Sequence, residues 1–334
     1  MSAKLGAQSG EERIIGRFFR PLAKHPGALG FADDAAVLVP PAGHELVLTV
    51  DAVVADVHFF ADDPADLVAK KALRVNLSDL AAKGAEPLGA LLSLSMPAGV
   101  TDEWLALFAR GLGEDCDRFN CPLLGGDTTG TGGALTISIT AVGSLSAGTM
   151  VQRRGAKAGD AVVVTGTIGD AALGLKLRRE PDAKAFAKLD AAEGAYLRGR
   201  YLLPEPRLAL AAALRQFASA AMDISDGLAG DLGKLAAASG VRASIEAARV
   251  PLSDAARAVV TTDGRMIETV LTGGDDYEIA AAIPENRLSA FEKAAAAAGV
   301  AVTTIGRIEA GEGVSVVGLD GQPLHLKQAS YSHF

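Results

Sequence analysis

The chemistry legible in this chain is carried by aspartates in unusual company. Asp33, Asp34, Asp51, Asp79, Asp127, Asp223, Asp226, Asp275 and Asp276 lie in or beside apolar or glycine-rich segments rather than on solvated faces. An ionised carboxylate on a mostly buried element is costly unless it is paired or bound to a metal. Singly, each has an ordinary explanation, because Asp is a good helix cap and turn residue. Their repetition beside Gly, Ser and Thr points further. Gly125-Gly126-Asp127-Thr128-Thr129, Asp223-Ile224-Ser225-Asp226-Gly227 and Gly273-Gly274-Asp275-Asp276 read as short loops. In such loops backbone N–H groups can approach phosphate while carboxylates hold cations. Two carboxylates about 4 Å apart repel by about 4 kcal/mol at an effective dielectric of about 20, so convergence of these acids would demand a cation. Oxygen ligands select hard ions, which favours Mg²⁺ bridging phosphates over zinc.

Other chemistries find less support. The chain has no G-x-x-x-x-G-K-[ST], no G-x-G-x-x-G opening a helix, and no protein-kinase signature, so a nucleotide would be held differently. Ser78 and Ser225 stand near acids without a nucleophile-elbow setting or a His partner, which argues against a hydrolase triad. His58 follows an apolar strand beside Phe59 and Phe60 and reads equally as a packed histidine. Cys116 and Trp104 read as packing residues of one helix.

These acids need elements to hold them. Ser9 to Glu12 has capping-box spacing, and Ile14, Ile15, Phe18, Phe19 and Leu22 recur at helical intervals. Strands are expected at 35–39 and 46–54, the second carrying Asp51. A helix from Pro64 to Gly84 places Asn76 and Asp79 on one face. A strand near 88–96, a helix near 102–119, a short strand ending at Gly125-Gly126-Asp127 and a strand at 135–142 complete a first half. A second half opens with a strand at 161–165. Helices follow near 170–178, 183–198 and 206–218, and a hairpin is expected at Asp320-Gly321.

A length of 334 residues suggests two domains, divided here at 148/149 within the boundary region 146–159. A hydrophobic fraction of 49% supplies a sizeable core, and net charge −8 argues against nucleic-acid binding by phosphate attraction. Two cysteines, Cys116 and Cys121, are too few for a disulfide framework or a zinc site, which fits a reducing cytoplasm. Residues 1–10 lack a signal-peptide pattern. The longest uncharged stretch, 128–152, is rich in Gly, Ser and Thr, so neither secretion nor a membrane span is expected.

Six ordered motifs resemble the bacterial thiamine-monophosphate kinase family along nearly the whole chain. They are Asp33-Asp34-Ala35, Thr49-Val50-Asp51 with Val57-His58-Phe59, and Val75-Asn76-Leu77-Ser78-Asp79-Leu80-Ala81-Ala82. Gly125-Gly126-Asp127-Thr128-Thr129, Asp223-Ile224-Ser225-Asp226-Gly227-Leu228 and Gly273-Gly274-Asp275-Asp276-Tyr277-Glu278 complete the set. The resemblance implies the aminoimidazole ribonucleotide synthetase-like fold, two α/β (α+β) domains that pair through the N-terminal one into a homodimer. It also implies ATP-dependent phosphorylation of thiamine monophosphate to thiamine diphosphate with several Mg²⁺ ions. By residue, it implies metal contacts at Asp34, Thr49, Val50, Asp51, Asp79, Asp127, Asp223 and Asp226. Nucleotide contacts fall at Gly126, Arg153 and Ser225, and substrate contacts at His58, Asp275 and Tyr331. Phosphoryl transfer needs positioning and charge neutralisation more than a covalent nucleophile, which agrees with the acid-rich motifs.

The chain departs from the family's usual residues at Ala32, Val50, Ala55-Asp56, Phe119, Gly130 and Asp275. Val50 offers a backbone carbonyl where the family has a hydroxyl, and Asp275 is one methylene shorter than the usual Glu. Two alternatives follow: a synthetase of the aminoimidazole ribonucleotide type, and a nucleotide-binding homologue with impaired catalysis. Hydrogenase-maturation and selenophosphate-type enzymes would carry a functional Cys near one terminus, where this chain has none.

Overall fold

The computed structural model describes residues 10–328 and 330. These form two compact units, one reaching Asn76 and including Pro87–Ser144, the other comprising Leu77–Glu86 and the residues from Leu145 onward.

The first unit opens with α1 (Gly10–Ile14), which continues as a π turn at Ile15–Phe19 and a 3-10 turn at Arg20–Leu22. The helical spacing of the apolar residues is expressed, with Phe18 and Phe19 buried; Ser9 of the expected capping box lies outside the described residues. Strand β1 (His44–Val54) leads into helix α2 (Ala65–Ala82), which belongs to this unit as far as Asn76. Then come β2 (Glu86–Pro97), α3 (Asp102–Arg118), β3 (Leu123–Thr131) and β4 (Thr136–Ser146), and the four strands lie in the order β1-β4-β2-β3. Alternation along the strands buries Val47, Val53, Leu92 and Leu94 and leaves Leu46, Leu48, Val50 and Leu91 exposed. The outward side of β1 therefore presents an exposed apolar row, Leu46, Leu48 and Val50.

Helices α2 and α3 approach closely: a Cβ on Gly111 would stand 2.3 Å from the carbonyl oxygen of Asp66. A buried ion pair joins them, Arg74 Nε to Asp115 Oδ2 at 2.5 Å and Arg74 Nη2 to Asp115 Oδ1 at 3.0 Å.

Two expectations fail in this unit. Residues 35–39 form no strand; Val37 N–H donates to Gly27 O, and Val37 and Val39 stay exposed, because alternation without a neighbouring strand has no ladder to join. The Gly125-Gly126-Asp127-Thr128-Thr129 segment is strand rather than loop: β3 runs through it, parallel to β2, with Asp127 opposite Ser93.

The second unit contains β5 (Ala161–Thr165), α4 (Asp170–Arg179), α5 (Ala191–Leu202), α6 (Ala211–Phe217) and β6 (Ala220–Ile224). It continues with α7 (Leu228–Ser239), β7 (Arg242–Glu246), α8 (Asp254–Thr262), α9 (Met266–Thr272), β8 (Glu278–Ile283), α10 (Glu285–Ala297), β9 (Val302–Glu309) and β10 (Gly313–Val317). Its six-stranded sheet has the order β10-β7-β9-β5-β8-β6, parallel only between β10 and β7. Apolar clusters bury both faces. Val162, Val164, Met222 and Ala280 meet helices α4, α5, α7, α8 and α9, while Val163, Ala221 and Ala281 meet α6 and α10. That two-sided burial explains the uninterrupted apolar runs of β5 and β8.

The helix expected at 183–198 is split into a 3-10 turn at Lys184–Phe186 and α5, because Asp190 and Glu193 form a capping box that restarts the helix. At Asp320-Gly321 the chain does reverse, with Gly318 N–H donating to Gln322 O and Leu324 N–H to Val316 O. The architecture is mixed, α+β in both units.

Candidate active site

In the first unit the expected ligands sit on β1, on β3 and in the turn before β1. Thr49 and Asp51 share the inward parity of Val47 and Val53, whereas Val50 has the opposite parity and is 61% exposed. The backbone at Asp51 is fixed by a fully buried side chain of α2: Asn76 Oδ1 accepts from Asp51 N–H at 3.0 Å while Asn76 Nδ2 donates to Ala72 O at 3.0 Å. Asp33, Asp34, Gly126 and Asp127 line one cavity of about 670 Å³, with Phe19, Phe31 and Leu91 among its apolar walls. Asp33 Oδ1 accepts from Asp34 N–H at 2.8 Å. Gly126 is obligatory for packing, since a Cβ there would lie 1.8 Å from Leu92 O of β2. His58 does local structural work: its Nδ1 accepts from Val54 N–H at 3.1 Å, and its carbonyl accepts from Lys71 Nζ at 2.9 Å.

The second unit joins two motifs separated by about fifty residues. The loop Ser225-Asp226-Gly227 between β6 and α7 lies against Gly273 to Tyr277. Asp275 N–H donates to Ser225 O at 2.9 Å and Tyr277 N–H donates to Ile224 O at 2.8 Å. Close approach requires glycine on both sides: a Cβ on Gly274 would stand 2.3 Å from Ser225 O, and one on Gly227 2.5 Å from Thr272 O. Asp275 and Tyr277 are held at φ of 74° and 50°, a left-handed conformation that costs non-glycine residues on the order of 1–3 kcal/mol.

Buried carboxylates brace these loops. Asp231 accepts from Ser225 N–H at 3.0 Å and Asp226 N–H at 2.9 Å, and Lys234 pairs with both Asp231 and Asp226. Asp276, 1% exposed, sits at the N-terminus of α4 and accepts from Gly169 N–H at 2.7 Å. Burial holds its carboxyl well above the usual range, against the opposing Gly169 hydrogen bond. Glu278 accepts from Arg200 Nη2 at 3.1 Å, Arg207 Nε at 2.7 Å and Thr165 Oγ1 at 2.6 Å. Asp231, Arg200 and Arg207 carry no local motif, so only their partners in space reveal this bracing role.

Asp223 lies on β6 with the parity of Ala221, facing the side where the end of α2 packs. Burial first, and the charge of Asp79 second, push its carboxyl well above the ordinary value; Ser78 and Lys83 oppose them. This like-charged pair is the arrangement that a cation relieves, and its all-oxygen donors suit a hard ion. Among the described residues, however, no group of three or more His, Cys, Asp or Glu stands together in metal-binding proximity. Arg153 is close enough for its charge to lower the Lys83 amine. Tyr331 lies outside the described residues. Cys116 and Cys121 are buried free thiols, Cys116 being pushed up to about 12 chiefly by burial, so neither is a nucleophile.

Residues 32–145 match the family model described as AIR synthase related protein, N-terminal domain, and residues 157–318 match its C-terminal counterpart. The chain is 47% identical over 318 residues to the thiamine-monophosphate kinase of Caulobacter vibrioides, covering 93% of this chain and 88% of that one. Its fold is similar to the crystal structure of thiamine-monophosphate kinase from Stenotrophomonas maltophilia K279a. The TM-score is 0.82 at 39% identity, over 94% of this chain and 96% of that one. AaThiL complexed with AMPPCP and TMP is also similar, with TM-score 0.77 and 33% identity over 90% and 91% of the two chains. The motifs, the two-unit fold and these likenesses agree: the chain belongs to the thiamine-monophosphate kinase family.

Proposed function

We propose that this protein transfers the γ-phosphoryl group of ATP to thiamine monophosphate, giving thiamine diphosphate and ADP, with Mg²⁺ as the accompanying cation. The observation that carries the metal reading is the buried Asp223 beside Asp79, two carboxylates whose mutual repulsion and burial favour a bound cation. Mg²⁺ would supply charge neutralisation on the phosphates during an in-line displacement. Several Mg²⁺ ions are expected: within the first unit Asp34, Thr49, Asp51, Asp127 and the Val50 carbonyl would serve as ligands, and within the second unit Asp79, Asp223 and Asp226 would. No side chain has to become a nucleophile, because the acceptor phosphate itself attacks.

We assign Gly126, Arg153 and Ser225 to the nucleotide, and His58, Asp275 and Tyr331 to the acceptor. The strained backbone at Asp275, tied to Ser225 by a hydrogen bond, supports its role: rigid positioning of an acid suits a cationic acceptor such as the thiazolium ring. The exposed apolar side chains Leu46, Leu48 and Val50 support pairing of two copies through β1. No helix among the described residues is long and apolar enough to cross a membrane, and we place the reaction in the cytoplasm, where ATP is plentiful.

The test is a coupled assay with ATP, Mg²⁺ and one of three acceptors: thiamine monophosphate, free thiamine, or the formylglycinamidine substrate of the purine-pathway synthetase. Thiamine diphosphate should form from the monophosphate alone. Turnover of the formylglycinamidine compound would favour the synthetase reading, and ATP binding without turnover of any acceptor would favour the impaired homologue.

A further inference from the structure

Lys83 is unlike its surroundings. It follows the last turn of α2, where Ala81 and Ala82 enter an apolar cluster, and it is partly buried with them. An ammonium group in that position requires partners, and it has a specific one: Nζ donates to Ala221 O at 2.8 Å, on the same strand as Asp223 and two residues before it. Residues i and i+2 of a strand project to one face, so Asp223 projects to the face on which Ala81 and Ala82 pack against Ala221, and the Lys83 ammonium, bound to the Ala221 carbonyl, sits at the edge of that face. Its backbone is engaged as well. Lys83 N–H donates to Asp79 O at 3.0 Å and Lys83 O accepts from Val151 N–H at 3.2 Å; Ala221 N–H in turn donates to Gln152 O at 3.0 Å. A single residue thus ties together the helix end carrying Asp79, the strand carrying Asp223 and the segment leading to Arg153.

The electrostatics agree with that placement. Burial lowers the Lys83 amine to about 8, opposed by the charge of Asp223 and then Asp79, while Arg153 pushes the same way as burial. Lys83 in turn pulls the Asp223 carboxyl down. Lys83, Asp79 and Asp223 lie within range of one another's charge, and nothing in the reaction proposed above uses Lys83.

We propose that Lys83 is a built-in counter-cation for Asp79 and Asp223, a positioning residue that offsets their repulsion before a divalent ion arrives and opposes that ion once it is bound. The proposal rests on the reading of Asp79 and Asp223 as metal ligands. It implies a trade: the acid pair is held in place in the metal-free protein, and the affinity for the divalent ion is lower than the acids alone would give, because like charges repel. Lys83→Met removes the charge at similar volume, Lys83→Gln removes it while keeping an N–H donor for Ala221 O, and Lys83→Arg keeps the charge.

The experiment titrates Mn²⁺ into the full-length protein without nucleotide, follows free Mn²⁺ by electron paramagnetic resonance, and competes it with Mg²⁺. Melting curves with EDTA and with Mg²⁺ accompany it. Both neutral variants should bind the ion at least about threefold more tightly than the unsubstituted protein, a modest floor for deleting a nearby like charge. They should melt lower in EDTA and gain more from Mg²⁺, since a ligand of the native state stabilises in proportion to its occupancy. Lys83→Arg should bind the ion as the unsubstituted protein does. A role confined to the Ala221 hydrogen bond predicts something else: Lys83→Met melts lower by the same amount with and without Mg²⁺, Lys83→Gln is mild, and Kd is unchanged. That result overturns the proposal and leaves the metal reading intact. If Lys83→Met does not fold, the Kd of Lys83→Gln decides. Absence of ion binding in the unsubstituted protein would overturn the metal reading and this proposal together.

Discussion

Asp276 Oδ2 accepts a hydrogen bond from the backbone N–H of Gly169 at 2.7 Å, so the residue next to the proposed substrate contact Asp275 caps the N-terminus of α4 through a residue 107 positions earlier in the chain. Asp275 and Tyr277, on either side, both take left-handed backbone angles. The cap and the strain belong together: Asp275 N–H is held by Ser225 O, Asp276 is anchored at α4 and Glu278 at Arg200 and Arg207, which leaves the backbone from 275 to 278 little freedom. Asp275 is thereby presented by a rigid frame rather than by a loose loop.

Replacement of Asp276 separates charge from hydrogen bonding. Asp276→Ala leaves the Gly169 N–H buried without an acceptor and should cost about 1–3 kcal/mol in urea unfolding. Asp276→Asn keeps an acceptor and should cost less. Because burial raises the Asp276 carboxyl above its ordinary 3.8, the contribution of this group is fully present below that value and is lost as pH rises through the raised one. The melting temperature of Asp276→Asn relative to the unsubstituted protein should therefore climb between pH 4 and pH 8. A flat difference would mean that the carboxyl titrates normally in the folded state.

Gly126→Ala and Gly130→Ala form a matched pair on β3. The first places a methyl 1.8 Å from the Leu92 carbonyl, whereas the second meets nothing within 4 Å. Overpacking against backbone should cost Gly126→Ala about 1–3 kcal/mol or more and reduce ATP affinity. Gly130→Ala should stay within about 0.5 kcal/mol of the unsubstituted protein. Equal melting temperatures for the two would show that β3 does not pair with β2 in the register that sets Gly126 opposite Leu92.

Asp51→Asn and Asp127→Asn should each lower kcat at least about a hundredfold, since charge stabilisation at such sites is commonly worth several kcal/mol. Asp127 is exposed, so Asp127→Asn should keep its melting temperature. Loss of the cooperative melt in Asp51→Asn would instead identify Asp51 as a structural residue tied to Asn76.

The Arg74–Asp115 pair predicts a non-additive double mutant. Asp115→Ala removes the carboxylate paired with the buried Arg74 guanidinium and should cost about 3–5 kcal/mol, while Arg74→Met with Asp115→Leu should recover much of that loss. Calorimetric melting of the single and double variants checks it; additivity would mean the pair does not act as a unit.

Elements with local signals were legible from the residues alone. The strands expected at 46–54, 88–96 and 161–165 and the helix expected near 102–119 are present as β1, β2, β5 and α3. The acid motifs were legible because carboxylates beside Gly and Ser in apolar surroundings are costly enough to stand out, and the family was legible from the resemblance of those motifs. What the bracing acids Asp276, Glu278 and Asp231 do is visible only in the folded arrangement. Asp276, Glu278 and Asp231 share the composition of the proposed ligands, yet they are satisfied by N–H groups and cations lying up to 107 positions away. The fold likewise leaves 35–39 without a strand partner and makes the glycine-rich Asp127 segment a strand, since pairing depends on a neighbour the local pattern does not contain. Propensity and periodicity act over a few residues, whereas the energy of a buried charge depends on whatever the completed fold brings within a few ångströms of it. That is why Lys83, one more polar residue at the end of an ordinary helix, acquires its place only with β6 beside it.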